Sequence, residues 1–308
     1  MKKPSVAWLL VVPLLVCGPA SHAAERLKVV ATLPVFADLV EAIGGEHVNV
    51  SSIASPKFDP HFIEPKPSDV VKVKRANLLV HGGLDLELWR GPLLDAAGNR
   101  HVFPGAAGEL DLSQGIALLE VPTGPASRAQ GDIHLYGNPH YWLNPEHART
   151  MARTIADKLG EMDSHHREVY EHNLNEFVQR LDQKIPEWRS SLAPYRGREV
   201  IGYHREFMYL MDFAELKMEA FLEPKPGIPP TPQQIQLIER YISQRRIPAI
   251  IQASYFPQAA AKTLARKTGT SVILLCQNVR ELPECSNYLA MMEYNVNQLV
   301  EALGQATR

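Results

Sequence analysis

Three of the twelve histidines in this 308-residue chain stand in settings that could hold a metal ion. His61 lies in FDPHFIEPKPSD and His140 in GNPHYWLNPEHA. In each, a proline precedes the imidazole, an aromatic residue follows within two positions, and a proline-led segment then opens a helix. Proline fixes its own φ and restricts the residue before it, so both rings are presented from loops with few conformations. His204, in IGYHREF, follows the strand-like run Glu199 to Tyr203. That places it at the carboxyl end of a strand, the edge of an open parallel sheet where ligands bind. His81 occupies the same kind of position after Asn77 to Val80. Most histidines are surface or hydrogen-bonded structural residues, and it is framing and position that separate these from the rest. Neutral imidazoles suit zinc, whereas an oxygen-rich set would suit manganese or magnesium. The chemistry expected is therefore capture of Zn2+, with Mn2+ less favoured.

The elements that must position these rings follow from the apolar pattern. Strand-like runs at Lys28 to Thr32, Val48 to Ile53 and Asn77 to Val80 alternate with helical stretches at Val35 to Ile43, Ser68 to Arg75 and Leu86 to Ala97. Such alternation predicts a parallel sheet flanked by helices. The rhythm returns after residue 198, with strands at Glu199 to Tyr203, Lys217 to Leu222, Ala249 to Gln252 and Ser271 to Leu275. Between the halves, Tyr170, Leu174, Phe177, Leu181, Ile185 and Trp188 fall three or four apart. That is one face of a long helix from Ser164 to Trp188, and a straight run of about 25 residues extends ~37 Å. It reads as a strut between two lobes, which Pro186 is expected to kink or end. Glu120 to Gly137, and the proline-rich EPKPGIPPTP from Glu223 to Pro232, read as loops, the second stiff.

The N-terminus has Lys2 and Lys3, an apolar run from Val6 to Val16, and Ser21-His22-Ala23-Ala24 before Glu25. This is the layout of a signal peptide over residues 1–24, directing a soluble protein to the periplasm. A membrane anchor fits less well, since the run is shorter than the ~20 residues needed to span a bilayer and contains Pro13. Lipidation at Cys17 fits less well too, because Leu14-Leu15-Val16 lacks the small residue wanted before the cysteine. Removing the leader deletes two lysines and no acid, taking the net charge from −2 to −4, unlike the basic stripe of a nucleic-acid binder. The mature part, about 284 residues, divides into an N-terminal lobe over 25–163, a bridging helix over 164–195 and a C-terminal lobe over 196–308. It keeps two cysteines, Cys276 and Cys285, which in an oxidising compartment could form a disulfide closing a short loop.

At these residues the chain resembles the metal-specific solute-binding proteins of ABC importers, the zinc and manganese cluster. The resemblance rests on VVATLPVFADLVEAIGG, the P-H-x-x-E-x-x-P-S-D element at Pro60 to Asp69, the P-H-x-W-L element at Pro139 to Leu143 and the histidine of IGYHREF. EPKPGIPPTP is similar to a segment of a zinc-associated subgroup. The resemblance implies two α/β lobes of four-stranded parallel sheets bridged by one long helix, with the metal between them. His61 and His140 would come from the first lobe and His204 from the second. It also implies an ABC permease as partner, with a periplasmic metallochaperone a further candidate, and a monomer as the working form. Where many members carry Asp after the last strand this chain reads LLCQNVRE, so Glu281 is taken as fourth ligand, with Cys276 as thiolate or a water as alternatives. Asn138 and Asn144 replace two expected aspartates, and the histidine-rich loop of many zinc members is reduced to His134, an accessory collector.

Two other readings share these residues. Three histidines and an open position also describe a catalytic zinc, with Glu64 or Glu206 as base, but neither lies in an H-E-x-x-H helix. A strut-helix binder of a metal chelate would need a wide aromatic or arginine-lined cleft, whereas two Pro-His elements fit a bare ion.

Overall fold

The computed structural model describes residues 26–124, 134–225 and 227–305; the leader expected over residues 1–24 and its cleavage site, with Cys17, lie outside them. Among the described residues are eight strands in two parallel sheets. The first contains β1 (Leu27–Ala31), β2 (Val48–Ser52), β3 (Leu78–His81) and β4 (Glu109–Asp111) in the order β2-β1-β3-β4. The second contains β5 (Glu199–Gly202), β6 (Lys217–Phe221), β7 (Ala249–Ala253) and β8 (Ser271–Leu275) in the order β6-β5-β7-β8. The halves therefore share one topology without sharing sequence. The three-residue β4 is the strand that periodicity did not reveal, being too short to show a period of two; it pairs with β3 from Leu79↔Glu109 to His81↔Asp111.

Each sheet is buried on both faces, as parallel sheets are. The alternation is visible residue by residue. Val29, Ala31, Leu78 and Val80 face one core, while Val30 and Leu79 face another with α2 (Pro67–Lys74) and α3 (Arg90–Ala97). In the second sheet Val200, Ala249 and Ile251 point inward and Ile201 and Ile250 outward. The two inward faces belong to a single continuous core. It takes in α1 (Pro34–Gly44), α4 (Pro145–Met162), α5 (Arg167–Leu192), α6 (Met208–Ala214) and α9 (Tyr288–Gln305), while α7 (Pro232–Arg245) and α8 (Ala259–Thr268) pack on the outer face of the second sheet.

Helix α5 is the strut. Its buried stripe is Tyr170, Leu174, Phe177, Leu181, Ile185, Trp188 and Leu192. The Asn173 amide donates to the Ile43 carbonyl of the first lobe (2.9 Å) and the Trp188 indole to Glu293 of α9 in the second (2.7 Å). Pro186 does not end it. The missing N–H would have bonded the Asp182 carbonyl one turn back, and both residues are exposed, so water can take that carbonyl while Ile185 and Trp188 stay packed.

Buried hydrogen bonds lock the lobes to each other. The Trp142 indole donates to the Gln277 carbonyl (2.8 Å), the Tyr288 hydroxyl to the Trp142 carbonyl (2.8 Å) and the Tyr288 N–H to Asp38 (2.8 Å). Cys276 and Cys285, both fully buried, form a disulfide that closes the turn carrying Gln277 to Glu281.

Candidate metal centre

The carboxyl ends of the two sheets face one cleft. After β2 the chain runs to a 3-10 turn at Pro60–Phe62 whose capping residue, Asp59, accepts from the His61 N–H (3.0 Å). After β5, Gly202 permits an immediate reversal: a Cβ there would lie 2.7 Å from the His204 carbonyl oxygen and 2.8 Å from the Met218 sulfur. His140 opens the buried run Tyr141–Leu143 and is fixed through its N–H by the Asn138 side chain (3.0 Å). Asn138 thus does by hydrogen bonding what its neutral amide allows, without the charge of an aspartate.

The three rings converge. Ring centroids are 5.1 Å apart for His61 and His140, 5.8 Å for His61 and His204, and 6.0 Å for His140 and His204. His134 joins them, 5.1 Å from His61 and stacked at 26°. One potential ligand atom from each of these four histidines lies within 4.8 Å of the other three. His61, His140 and His204 are buried, and the Nε2 of each is shielded from solvent with no hydrogen-bond partner. Three such orphaned ring nitrogens aimed at one point are costly unless something sits between them.

The opposite ring nitrogens are all engaged. His61 Nδ1 donates to Asp59 (2.7 Å) and His204 Nδ1 to Glu223 (2.8 Å), which leaves each Nε2 lone pair facing the cleft, the arrangement of carboxylate-oriented metal ligands. His140 Nδ1 instead meets the side-chain amide of Gln277 from the second lobe (2.7 Å), whose Oε1 accepts from the Tyr255 hydroxyl (2.8 Å). Ligation through Nε2 selects the Nδ1–H tautomer, and a half-turn of the Gln277 amide would then present Oε1 to His140 and the NH2 group to Tyr255.

The electrostatics follow from burial and these partners. Burial, with the charges of His61, His134 and His204, holds His140 well below the usual histidine range. Burial also works against the charged form of His204, but the Glu223 hydrogen bond and the charges of Glu206, Glu223 and Asp59 carry it above that range. Asp59, although partly buried, is held low by its hydrogen bonds and charge interaction with His61. Glu206 is pushed up to about 7 by burial, against the pull of His204.

The remaining sequence candidates lie elsewhere. Glu281, expected as fourth ligand, is outside the four-histidine group. One of its oxygens accepts from the Ser254 N–H (3.0 Å) and hydroxyl (2.7 Å), the other from the N–H groups of Gln277 (2.8 Å) and Asn278 (3.2 Å). It therefore braces the turn that holds Gln277. Cys276 is tied up in the disulfide. His81 is buried in a structural network, its Nε2 on Glu109 (2.9 Å) beside Arg90 (2.9 Å) and its Nδ1 accepting from the Gly83 N–H (3.1 Å). Sequence reasoning did not anticipate Glu223, Gln277 or His134 within the cluster itself. Asp59 had a local signal, two residues before His61; Glu223 and Gln277 had none, since each reaches its histidine only through the fold. An open groove of about 950 Å³, lined by Arg205, Phe221, Tyr241 and Leu237 among others, leads to His134 and His204.

The sequence profile of the zinc-uptake complex component A, periplasmic (ZnuA) family matches residues 29–302. The chain belongs to that family. Its members are metal-binding substrate-binding proteins of ABC importers, not enzymes, which sets aside the hydrolase reading with Glu64 or Glu206 as base. The manganese ABC transporter substrate-binding lipoprotein PsaA of Streptococcus mitis is 27% identical, over 97% of both chains. The iron-binding protein YfeA of Yersinia pestis is 26% identical over 92% of this chain and 89% of its own. A crystal structure of ZnuA shares the fold with a TM-score of 0.76 at 24% identity, covering 91% of this chain and 100% of that one. FpvC from Pseudomonas aeruginosa, in complex with Mn2+, does so with a TM-score of 0.77 at 22% identity, covering 92% and 100%. Among the described residues no helix is long and apolar enough to cross a membrane.

Proposed function

We propose that this protein captures zinc in the periplasm with His61, His134, His140 and His204 and delivers it to an ABC permease. The observation that carries the reading is the set of four imidazole nitrogens within 4.8 Å of one another. A tetrahedral zinc with nitrogens at about 2.1 Å separates its ligands by about 3.4 Å, so small side-chain rotations close the set. An all-imidazole donor set favours zinc over manganese, which prefers oxygen. Relatives are named for manganese and for iron as well as zinc, so the preference rests on the donors of this chain. Glu281 has no part in this reading, because its oxygens brace the Gln277 turn, and His134 takes its place.

Uptake would draw the rings together, with Asp59 and Glu223 holding the Nδ1–H tautomers and the dry aromatic surround of Trp142 and Phe256 strengthening ion-ligand attraction (His140 to Trp142 5.3 Å, His204 to Phe256 6.1 Å). With both sheets and α5 sharing one core, lobe motion is small, and release falls to the permease acting on the exposed side of the cleft, where His134 lies. Calorimetric titration of zinc into chelator-stripped protein tests this. One equivalent should bind, and His140→Ala should weaken it by more than about a hundredfold; a stoichiometry near zero, or an unimpaired H140A variant, overturns it.

A further inference from the structure

Glu206, two residues beyond His204, is fully buried, and neither of its carboxyl oxygens has a hydrogen-bond partner in another residue. Other buried or partly buried carboxylates of the chain differ. Asp59 accepts from His61, Glu223 from His204, Glu281 from Ser254, and Glu87 from Thr32 and the Gly82 N–H. Burying a carboxyl group that no other residue's donor satisfies is costly. Its place is not arbitrary, since it is close enough to His204, Asp59 and Glu223 to interact with their charges. Its oxygens stand outside the four-nitrogen set, and the one hydrogen bond that favours its charged form comes from its own backbone N–H, so no other residue ties its rotamer.

We propose that Glu206 is an oxygen ligand of the bound cation, so that the loaded site comprises imidazoles and one carboxylate. This rests on the metal-capture reading and refines it. A carboxylate is a harder donor than imidazole, so Glu206 would extend the range of the site from zinc toward Mn2+ and Fe2+. Four imidazoles alone would discriminate against those ions.

The test compares wild-type protein with Glu206→Gln, using Zn2+, Mn2+ and Co2+ as probes. In the E206Q variant, Mn2+ affinity should fall about 10- to 100-fold and Zn2+ affinity less, so the preference for zinc widens. The visible Co2+ spectrum should change in intensity as an oxygen leaves the coordination sphere, a readout that a packing role would not move. The metal-free variant should melt no lower than wild type, because it loses a buried ionisable charge while keeping the side chain's shape. Superimposable Co2+ spectra and equal affinities would overturn the assignment while leaving metal capture intact. A wild-type chain that takes up none of the three ions would overturn both. Should E206Q fail to fold, a crystal structure of zinc-loaded wild-type protein decides. A Glu206 oxygen at about 2.0–2.2 Å from the ion is expected, and one bonded instead to an ordered water away from the ion overturns the proposal.

Discussion

Replacing Glu223 by Gln probes the link between second-lobe chemistry and metal affinity. The Glu223 carboxylate lies 2.8 Å from His204 Nδ1, and both side chains are 7% exposed, so little solvent screens the pair. Glutamine fits the same space but loses the charge. It can accept from Nδ1–H through its oxygen, or donate through its NH2 group and thereby turn the imidazole to the Nε2–H tautomer, which aims a proton at the metal position. Loss of such an orienting carboxylate lowers metal affinity about 10- to 100-fold, or about 1.4–2.7 kcal/mol. A second effect has the opposite sign. Glu223 also holds His204 above the usual histidine range, so in wild-type protein a proton competes for His204 at higher pH than it would in E223Q. The affinity gap between the two proteins should therefore be widest near pH 7.5 and narrow as pH falls toward about 5.5. Zinc titrations against a competing chelator across that range measure it. Equal affinities at pH 7.5, or a gap that widens with acid, would refute the argument that Glu223 acts by orienting and charging His204.

His134 is half-buried and stands at the edge of the cleft, where water can replace a lost ligand, so His134→Ala should weaken zinc about tenfold, far less than H140A, in the same titration. Metal-free protein should lose stability as pH drops below 6.5, because the folded-state pKa of His140 lies well below that unfolded value and the unfolded chain takes the proton first. His204, shifted upward, contributes the reverse: its stabilisation is present below 6.5 and fades as pH rises through its folded-state pKa. Thermal melts from pH 7.5 to 5.5 should therefore flatten in H140A, which removes the contribution lost in acid, and steepen in H204A, which removes the opposing one; an unchanged slope in H140A would refute the assignment. Removing the disulfide with C276A/C285A should cost about 2–3 kcal/mol from loop entropy and loosen the Gln277 turn, read by chemical denaturation and by a modest fall in zinc affinity; unchanged stability would mean that Glu281 and its donors suffice to hold that turn.

Much of the architecture was legible because its signals are local. Seven of the eight strands show as β-branched or aliphatic runs, and the strut shows as a 3.6-residue stripe from Tyr170 to Trp188. The exception, β4, is three residues at a sheet edge. Of the two outcomes expected of Pro186, ending the helix is the one that does not occur, because the freed Asp182 carbonyl lies on the exposed side, and exposure is not written in the local sequence.

The sequence by itself determined which residues could be ligands, through the Pro-His framing of His61 and His140 and the strand-end position of His204. Only tertiary structure decided their company. His134 joins the cluster and Glu281 turns away from it, because the latter satisfies two donors of its own turn and two of Ser254 beyond β7. Glu223 and Gln277 become the partners of His204 and His140 at separations of 19 and 137 residues. Hydrogen bonds of that reach depend on where two sheets place their carboxyl ends, a quantity set by packing of the shared core rather than by any motif.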